Sequence, residues 1–262
     1  MSGQSPAPPF SDLRLASLSN LPRIGVVAAA GFKYSQVFEF TRPYHNQYPE
    51  DTVKDYQRIF REQILDPEWI VLVKEDLFDP NEGEEGILGL GPKNRFPDPA
   101  VSSNDLMERV IVGVCSWKLE EGSHRKGDFQ PPSLDLASCE EIGYSEEISG
   151  FPSRDIDPER LRRVNRAIDE IEKEYFRHAC LLEMIVVHPT YWRRGHGSAL
   201  ASWGISLTKL DNVNHGVIAS KMGEVLFSSL GFEYIKHFHV EGDEDAPKGI
   251  DLAVFAIWRR KE

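Results

Sequence analysis

Within the 262 residues of this chain, the side chains whose types and spacing suit chemistry gather between Leu181 and Trp203, in LLEMIVVHPTYWRRGHGSALASW. A carboxylate, Glu183, stands in an apolar run, and two arginines further on lead into Gly195-His196-Gly197-Ser198. The run Leu181, Leu182, Met184, Ile185, Val186, Val187 is short and rich in β-branched residues, which predicts a strand that Pro189 ends. From Ser198 the residues Ala199, Leu200, Ala201, Trp203, Ile205 and Leu207 favour a helix. Where a strand passes through a glycine loop into a helix, the first N–H groups of the helix have no partner within it, and the macrodipole adds roughly half a positive charge there. A phosphate satisfies both, and glycines at 195 and 197 let it approach the backbone.

Other nucleotide loops do not fit the spacing. A P-loop would end in Gly-Lys-Ser/Thr, and a dinucleotide fingerprint would need a third glycine where Leu200 stands and an acid near the stretch Gly216 to Ser220. Two glycines alone are equally compatible with a loop that only turns the chain. Strand alternation puts Glu183 in one row with Leu181, Ile185 and Val187. A carboxylate in an apolar row is costly unless paired or useful, so Glu183 reads either as a general base of near-neutral pKa or as a structural residue, in a buried salt bridge or exposed at an edge. His178 and His188 are weaker candidates for the base, His188 reading better as a turn residue.

Composition narrows the partners. A hydrophobic content of 40% and a charged content of 27% are ordinary for a globular protein. No apolar run is long enough to span a membrane, and MSGQSPAPPF lacks a basic-then-apolar leader, so the expected compartment is the cytoplasm, with the nucleus also open. The net charge of −12 argues against nucleic acid, which demands clustered Lys and Arg. The acidic runs Glu82-Gly83-Glu84-Glu85 and Glu241-Gly242-Asp243-Glu244-Asp245 read as solvated loops, or as an attraction for a cationic amine. Against that background Arg193 and Arg194 are local cations for an anion. Cys115, Cys139 and Cys180 form an odd count without metal or CxxC spacing, so neither a disulfide framework nor a metal site is expected.

The elements that would position these residues follow from periodicity. Residues 1–12, proline-rich and polar, are expected to be a disordered tail before one domain over 13–262. Leu13–Leu18, Trp69–Val73 and Val110–Lys118 read as strands, with Asp76–Asn104 as loop. Leu21–Phe32 and Thr52–Leu65 read as helices, the second capped by Asp51. An insertion at about 119–178 ends in a helix announced by the Asp157 cap, Pro158 at N1 and the stripe Leu161, Val164, Ile168, Ile171, Tyr175. This insertion lines an acceptor site, covers a sheet face or mediates a homodimer; the sequence leaves the three open. Strands near Phe232–Val240 and Ile250–Trp258 form a late antiparallel pair.

In order and spacing, VVHP, YWRRGHGSAL, a strand at Gly216–Ala219 and SKMGEVLFSSLGFEYI resemble the GNAT N-acetyltransferase superfamily, whose signature Q/R-x-x-G-x-G/A precedes an LGF element. The resemblance is specific over 181–238 and weaker at 68–75 and 110–118, and RPYHNQYPEDT is loosely similar to fungal small-molecule members. It implies an α/β (α+β) GNAT acyl-CoA N-acyltransferase fold, a central mixed and largely antiparallel sheet flanked by helices. It further implies acetyl-CoA as co-substrate without a metal, an amine acceptor, and no nucleic acid or membrane partner. The pyrophosphate would lie on Trp192, Arg193, Arg194, Gly195, His196, Gly197 and Ser198, the acyl arm along Ile185, Val186 and Val187 with Ser220 and Phe227 beside it, and Glu183 would be the base. Two residues depart from the pattern. Trp192 replaces the usual Gln or Arg, which leaves the backbone contacts intact. Phe227 replaces a tyrosine that protonates the departing thiolate, and phenylalanine has no proton to donate; Ser228, Ser229 and Tyr234 lie near it in sequence. A non-catalytic acyl-CoA-binding or regulatory domain is therefore the alternative to an enzyme.

Overall fold

The aliphatic runs and capping residues assemble, in a computed structural model that describes residues 6–83, 109–131 and 152–259, into one sheet with helices on both faces. Its strands are β1 (Leu13–Leu15), β2 (Trp69–Leu77), β3 (Arg109–Lys118), β4 (Ala179–Val187), β5 (Asn214–Ala219), β6 (Glu233–Val240) and β7 (Ile250–Ile257), in the order β1-β2-β3-β4-β5-β7-β6. Only β4 and β5 run parallel; the other neighbours are antiparallel, as expected for a largely antiparallel sheet. Among the described residues the α-helices are α1 (Leu21–Phe32), α2 (Gln36–Thr41), α3 (Pro49–Leu65), α4 (Pro158–Tyr175), α5 (His196–Asp211) and α6 (Lys221–Ser229).

Local chemistry sets the helix starts. Asp157 accepts the N–H groups of Glu159 and Arg160 at 2.9 and 3.0 Å, and Pro158 opens the 18-residue α4, so this cap is used as the sequence predicts. The Asp51 cap is not. Pro49 presets the backbone for an earlier start of α3, and Asp51, buried in the first turn, instead takes the Arg154 guanidinium at 2.8 and 2.9 Å. The short α2 was not expected, since six residues are too few for a helical stripe to show.

The two faces have different covers. On one, Leu200, Ala201, Trp203 and Leu207 of α5 and Phe227 of α6 pack on Ile70, Leu72, Cys115, Trp117, Leu182, Val217 and Phe255. On the other, α1 and α3 lay Ile24, Val27, Ala28 and Phe60 over Val71, Val73, Val114 and Val186. Beyond them α4 sets Ile171 against Leu181, Val254 and Ala256, and Val164 against Val240, Leu252 and Phe40 of α2. Burial of each large apolar side chain is worth about 1.5–3 kcal/mol, so this arrangement fixes α1 and α3 over the β2–β4 half and α4 over the β5–β7–β6 half. Cys115 and Cys180 are buried core residues whose thiols burial pushes up, which removes them as nucleophiles. Cys139 lies outside the described residues.

Residues 6–12 pack where composition predicted disorder. Pro8 is buried, its carbonyl accepts the Trp203 indole N–H at 3.2 Å, Phe10 stacks on Trp203 at 5.5 Å, and Asp12 pairs with Lys74. One aromatic contact and one buried proline outweigh a polar composition. Among the described residues no helix is long and apolar enough to cross a membrane.

Candidate active site

The parallel pair in the sheet opens into a fork. β4 and β5 are paired from Ala179↔Asn214 to Leu182↔Val217. Beyond that point β4 continues to Val187 paired with β3, and β5 continues to Ala219 paired with β7. On the β5 side, residues 183–187 have no strand partner among the described residues. Those of their backbone N–H and C=O groups that β3 does not engage therefore lack a strand partner, and a buried backbone group needs one. The Val187 carbonyl has one already, the Trp192 indole N–H at 2.7 Å.

At the far end of the fork the chain turns through Pro189–Tyr191 into the glycine loop. Arg193 and Gly195 both take positive φ, 65° and 86°. Gly195 is the N-cap of α5, a left-handed position that glycine adopts without strain. The helix begins at His196, ahead of the expected Ser198. A Cβ placed on Gly197 would meet only Leu226 Cδ2 at 3.8 Å and Val187 Cγ2 at 3.9 Å, so bare backbone looks into the groove between the end of β4 and α6. Left-handed positions followed by a helix start form a concavity of N–H donors, and residues 193–196 have that order of conformations.

The side chains of the loop divide unexpectedly. Arg193 is exposed and has no hydrogen-bond or ion-pair partner among the described residues. Arg194 reaches Asp79 at 2.7 Å and Asp76 at 3.5 Å and lies over the Tyr191 ring at 4.9 Å. His196 Nε2 is 3.0 Å from Asp76. Trp192 spends its indole N–H on β4 and meets Tyr34 edge-on at 5.0 Å.

Glu183 stands at the mouth of the fork, and the structure corrects its surroundings. Ser116 pairs with Met184 and Trp117 with Leu182, so Glu183 is the extra residue of a β-bulge. A bulge shifts strand alternation by one. Leu181 consequently joins the core under α4 whereas Ile185 packs on the α5 side, and the expected single row of Leu181, Glu183, Ile185 and Val187 does not exist. The Glu183 carboxylate is half-buried and has no hydrogen bond or salt bridge among the described residues. Burial, with Glu172 and Asp169 of α4 nearby, pushes it up to about 7 against the opposing pull of Lys118.

The remaining candidates take structural places. His188 is buried and pushed down to about 4 by burial, and its backbone N–H donates to the Val112 carbonyl at 2.8 Å. His178 is exposed before β4. Ile185 packs beneath α5, while the side chain of Val186 turns to the core under α1. Ser220 is the N-cap of α6, its carbonyl accepting the N–H groups of Gly223 and Glu224 at 2.8 and 3.2 Å. Phe227 is buried between Phe232 at 5.4 Å and Phe255 at 6.4 Å. Ser229 donates to the Leu226 carbonyl at 2.7 Å, and Tyr234, bonded to His237 at 2.7 Å, sits on the outer strand β6 with β7 between it and β5.

Sequence reasoning missed a buried network behind the loop. Glu82, expected in a solvated acidic run, is buried. It pairs with both guanidinium nitrogens of Arg23 and accepts the Tyr191 hydroxyl at 2.8 Å. The available signal was Arg23, a lone cation in the apolar helix LPRIGVVAAAGF, which burial obliges to find a carboxylate. In the second acidic run, Asp243 takes Arg160 of α4 through two contacts of 2.7 Å.

No family model matches the chain. A protein of Stachybotrys chartarum named acetyltransferase is 34% identical over 257 residues, covering 98% of this chain and 94% of that relative. The crystal structure of histone acetyltransferase HPA2 and related acetyltransferase from Corynebacterium glutamicum superposes with a TM-score of 0.51 at 16% identity, covering 95% of this chain and 97% of that one, which is a likeness of fold. Kinship with that relative over nearly the whole length makes the chain a member of the same acetyltransferase family.

Proposed function

We propose that this acetyltransferase moves an acetyl group from acetyl-CoA to a primary amine by direct attack, with Glu183 as general base. The observation that carries the reading is the fork: one continuous path runs from the N–H concavity at 193–198, along the unpaired edge of β4, to a half-buried carboxylate without a partner. Backbone N–H groups of the loop and of the first turn of α5 would hold the pyrophosphate, with Arg193 as the available cation. The edge at Ile185–Val187 would orient the acyl arm as an added strand does. Acetyl-CoA supplies the thioester.

The chain's own residues then have two tasks. Glu183, poised near neutrality, takes the proton that the amine loses as its nitrogen bonds to the carbonyl carbon and the carbon–sulfur bond breaks. Glu172 and Asp169 on the neighbouring α4 favour an acceptor that arrives as a cation. Phe227 donates nothing to the thiolate, Ser229 and Tyr234 have their hydroxyls engaged and Ser228 is exposed on α6, so in this reading water supplies the thiolate's proton. Titration calorimetry with acetyl-CoA, followed by thiol release against a panel of amines and peptides, tests the reading. Binding with amine-dependent release supports it; binding without release favours the regulatory alternative, and no binding overturns it.

A further inference from the structure

The loop that would hold the pyrophosphate is tied down from behind by the end of β2 and the turn that follows it. Four contacts converge there: Asp76 to His196 at 3.0 Å, Asp76 to Arg194 at 3.5 Å, Asp79 to Arg194 at 2.7 Å, and Glu82 to the Tyr191 hydroxyl at 2.8 Å. The Tyr191 hydroxyl also accepts the Asp79 N–H at 2.9 Å, and the fully buried ring beneath it carries the Arg194 guanidinium on its face. Behind Glu82 stands Arg23 of α1, whose Nε donates to the Ile111 carbonyl of β3 at 2.8 Å. The Thr190 carbonyl takes a further bond from Arg194 at 3.1 Å. The Tyr191, Arg194 and His196 side chains of the loop thus lead back to the end of β2 and the turn after it, and through Glu82 to Arg23 of α1.

We infer that the segment Asp76–Glu82 is a positioning element for the acetyl-CoA loop, and that Arg194 is a positioning residue held by Asp79 rather than a ligand of the phosphate. This rests on the reading of the loop as the pyrophosphate site. Two carboxylates beside a site for a polyanion are unfavourable if the arginine between them is meant to grip that anion, because they neutralise it. They make sense if its fork spans two attachment points and sets the curvature of the backbone, the donors that do meet phosphate being N–H groups. Preorganised donors bind more tightly than donors that must be gathered. Arg193, unpaired among the described residues, is left to supply the direct charge.

The two roles for Arg194 predict opposite signs. If Asp79 competes with phosphate for Arg194, Asp79→Asn frees a cation, removes a negative charge and tightens binding. If Asp79 positions the loop, the same change weakens binding. The experiment is a double-mutant cycle of Asp79→Asn, Arg194→Gln and the pair, read as the Kd of coenzyme A by calorimetry, with thermal unfolding on each sample. Asp79 and Arg194 lie at the surface edge of the network, so these variants keep the buried Glu82–Tyr191 pair. We expect each single change to weaken binding by about five- to tenfold, the pair to be no weaker than either alone, and Asp79→Glu to return affinity to within about twofold of wild type. Tighter or unchanged binding in Asp79→Asn, or a loss in Arg194→Gln far exceeding that in Asp79→Asn, overturns the positioning role while leaving the site assignment standing. Absence of coenzyme A binding by the wild type overturns the site assignment and the inference with it.

Discussion

At Glu183 the burial that suits a base also works against folding. Its folded-state carboxyl, near 7 instead of the ordinary 4.5, binds a proton more readily than the unfolded chain's. Stability is therefore greatest at low pH for this group and falls as pH rises from 4.5 through 7, by about 3 kcal/mol at most. Glu183→Gln removes that cost, so its Tm should exceed that of wild type at pH 8 and match it near pH 4.5. Turnover at pH 7 should fall by about a hundredfold and recover toward pH 9, where amines deprotonate unaided. A pH–rate profile identical to wild type would remove Glu183 as base. The residue's candidacy was legible because a carboxylate in an aliphatic run is rare. Its true setting was not, since a one-residue bulge is a product of pairing with β3 and leaves no mark on local alternation.

Elements show the same division between local and remote information. The start and stripe of α4 were readable because Asp157, Pro158, Val164 and Ile171 lie within one helix. That Arg160 would meet Asp243, across 83 residues of sequence, was not, and the acidic run there had every feature of a solvated loop. This contact fastens the β6–β7 connection to the helix whose Asp169 and Glu172 stand beside Glu183. Arg160→Ala should loosen that wall. The KM for an amine acceptor should rise about threefold or more, with the Kd of acetyl-CoA unchanged within about twofold, since the proposed pyrophosphate loop touches neither Arg160 nor Asp243. Equal losses in both would mean that α4 supports the sheet alone.

On the scale of the molecule, the face under α5 is completed by the chain's own beginning. Phe10 on Trp203 closes a core that reaches from β1 to β7, so Phe10→Ala should lower stability by about 1 kcal/mol, measured by urea unfolding, without altering cofactor affinity. The late antiparallel pair was legible from the strand pattern and the largely antiparallel sheet from the resemblance, but not the strand order. The packing of residues 6–12 was not, because a proline-rich stretch shows its partner only in three dimensions.

The fork gives this sheet an edge in its middle. Strand edges at the rim of a protein invite a second chain to pair with them and nucleate aggregation. Here the unpaired positions lie inside the sheet, between β4 and β5, and not at its rim. If acetyl-CoA binds as proposed, it completes for the duration of a catalytic cycle a ladder that stops at Leu182 and Val217 in the free protein. Hydrogen exchange should make that visible: amides at Ile185–Val187 not engaged by β3 should exchange rapidly in the free protein and slow by at least about tenfold when acetyl-CoA is bound, while those of Leu181 and Leu182, within the closed part of the ladder, should not change.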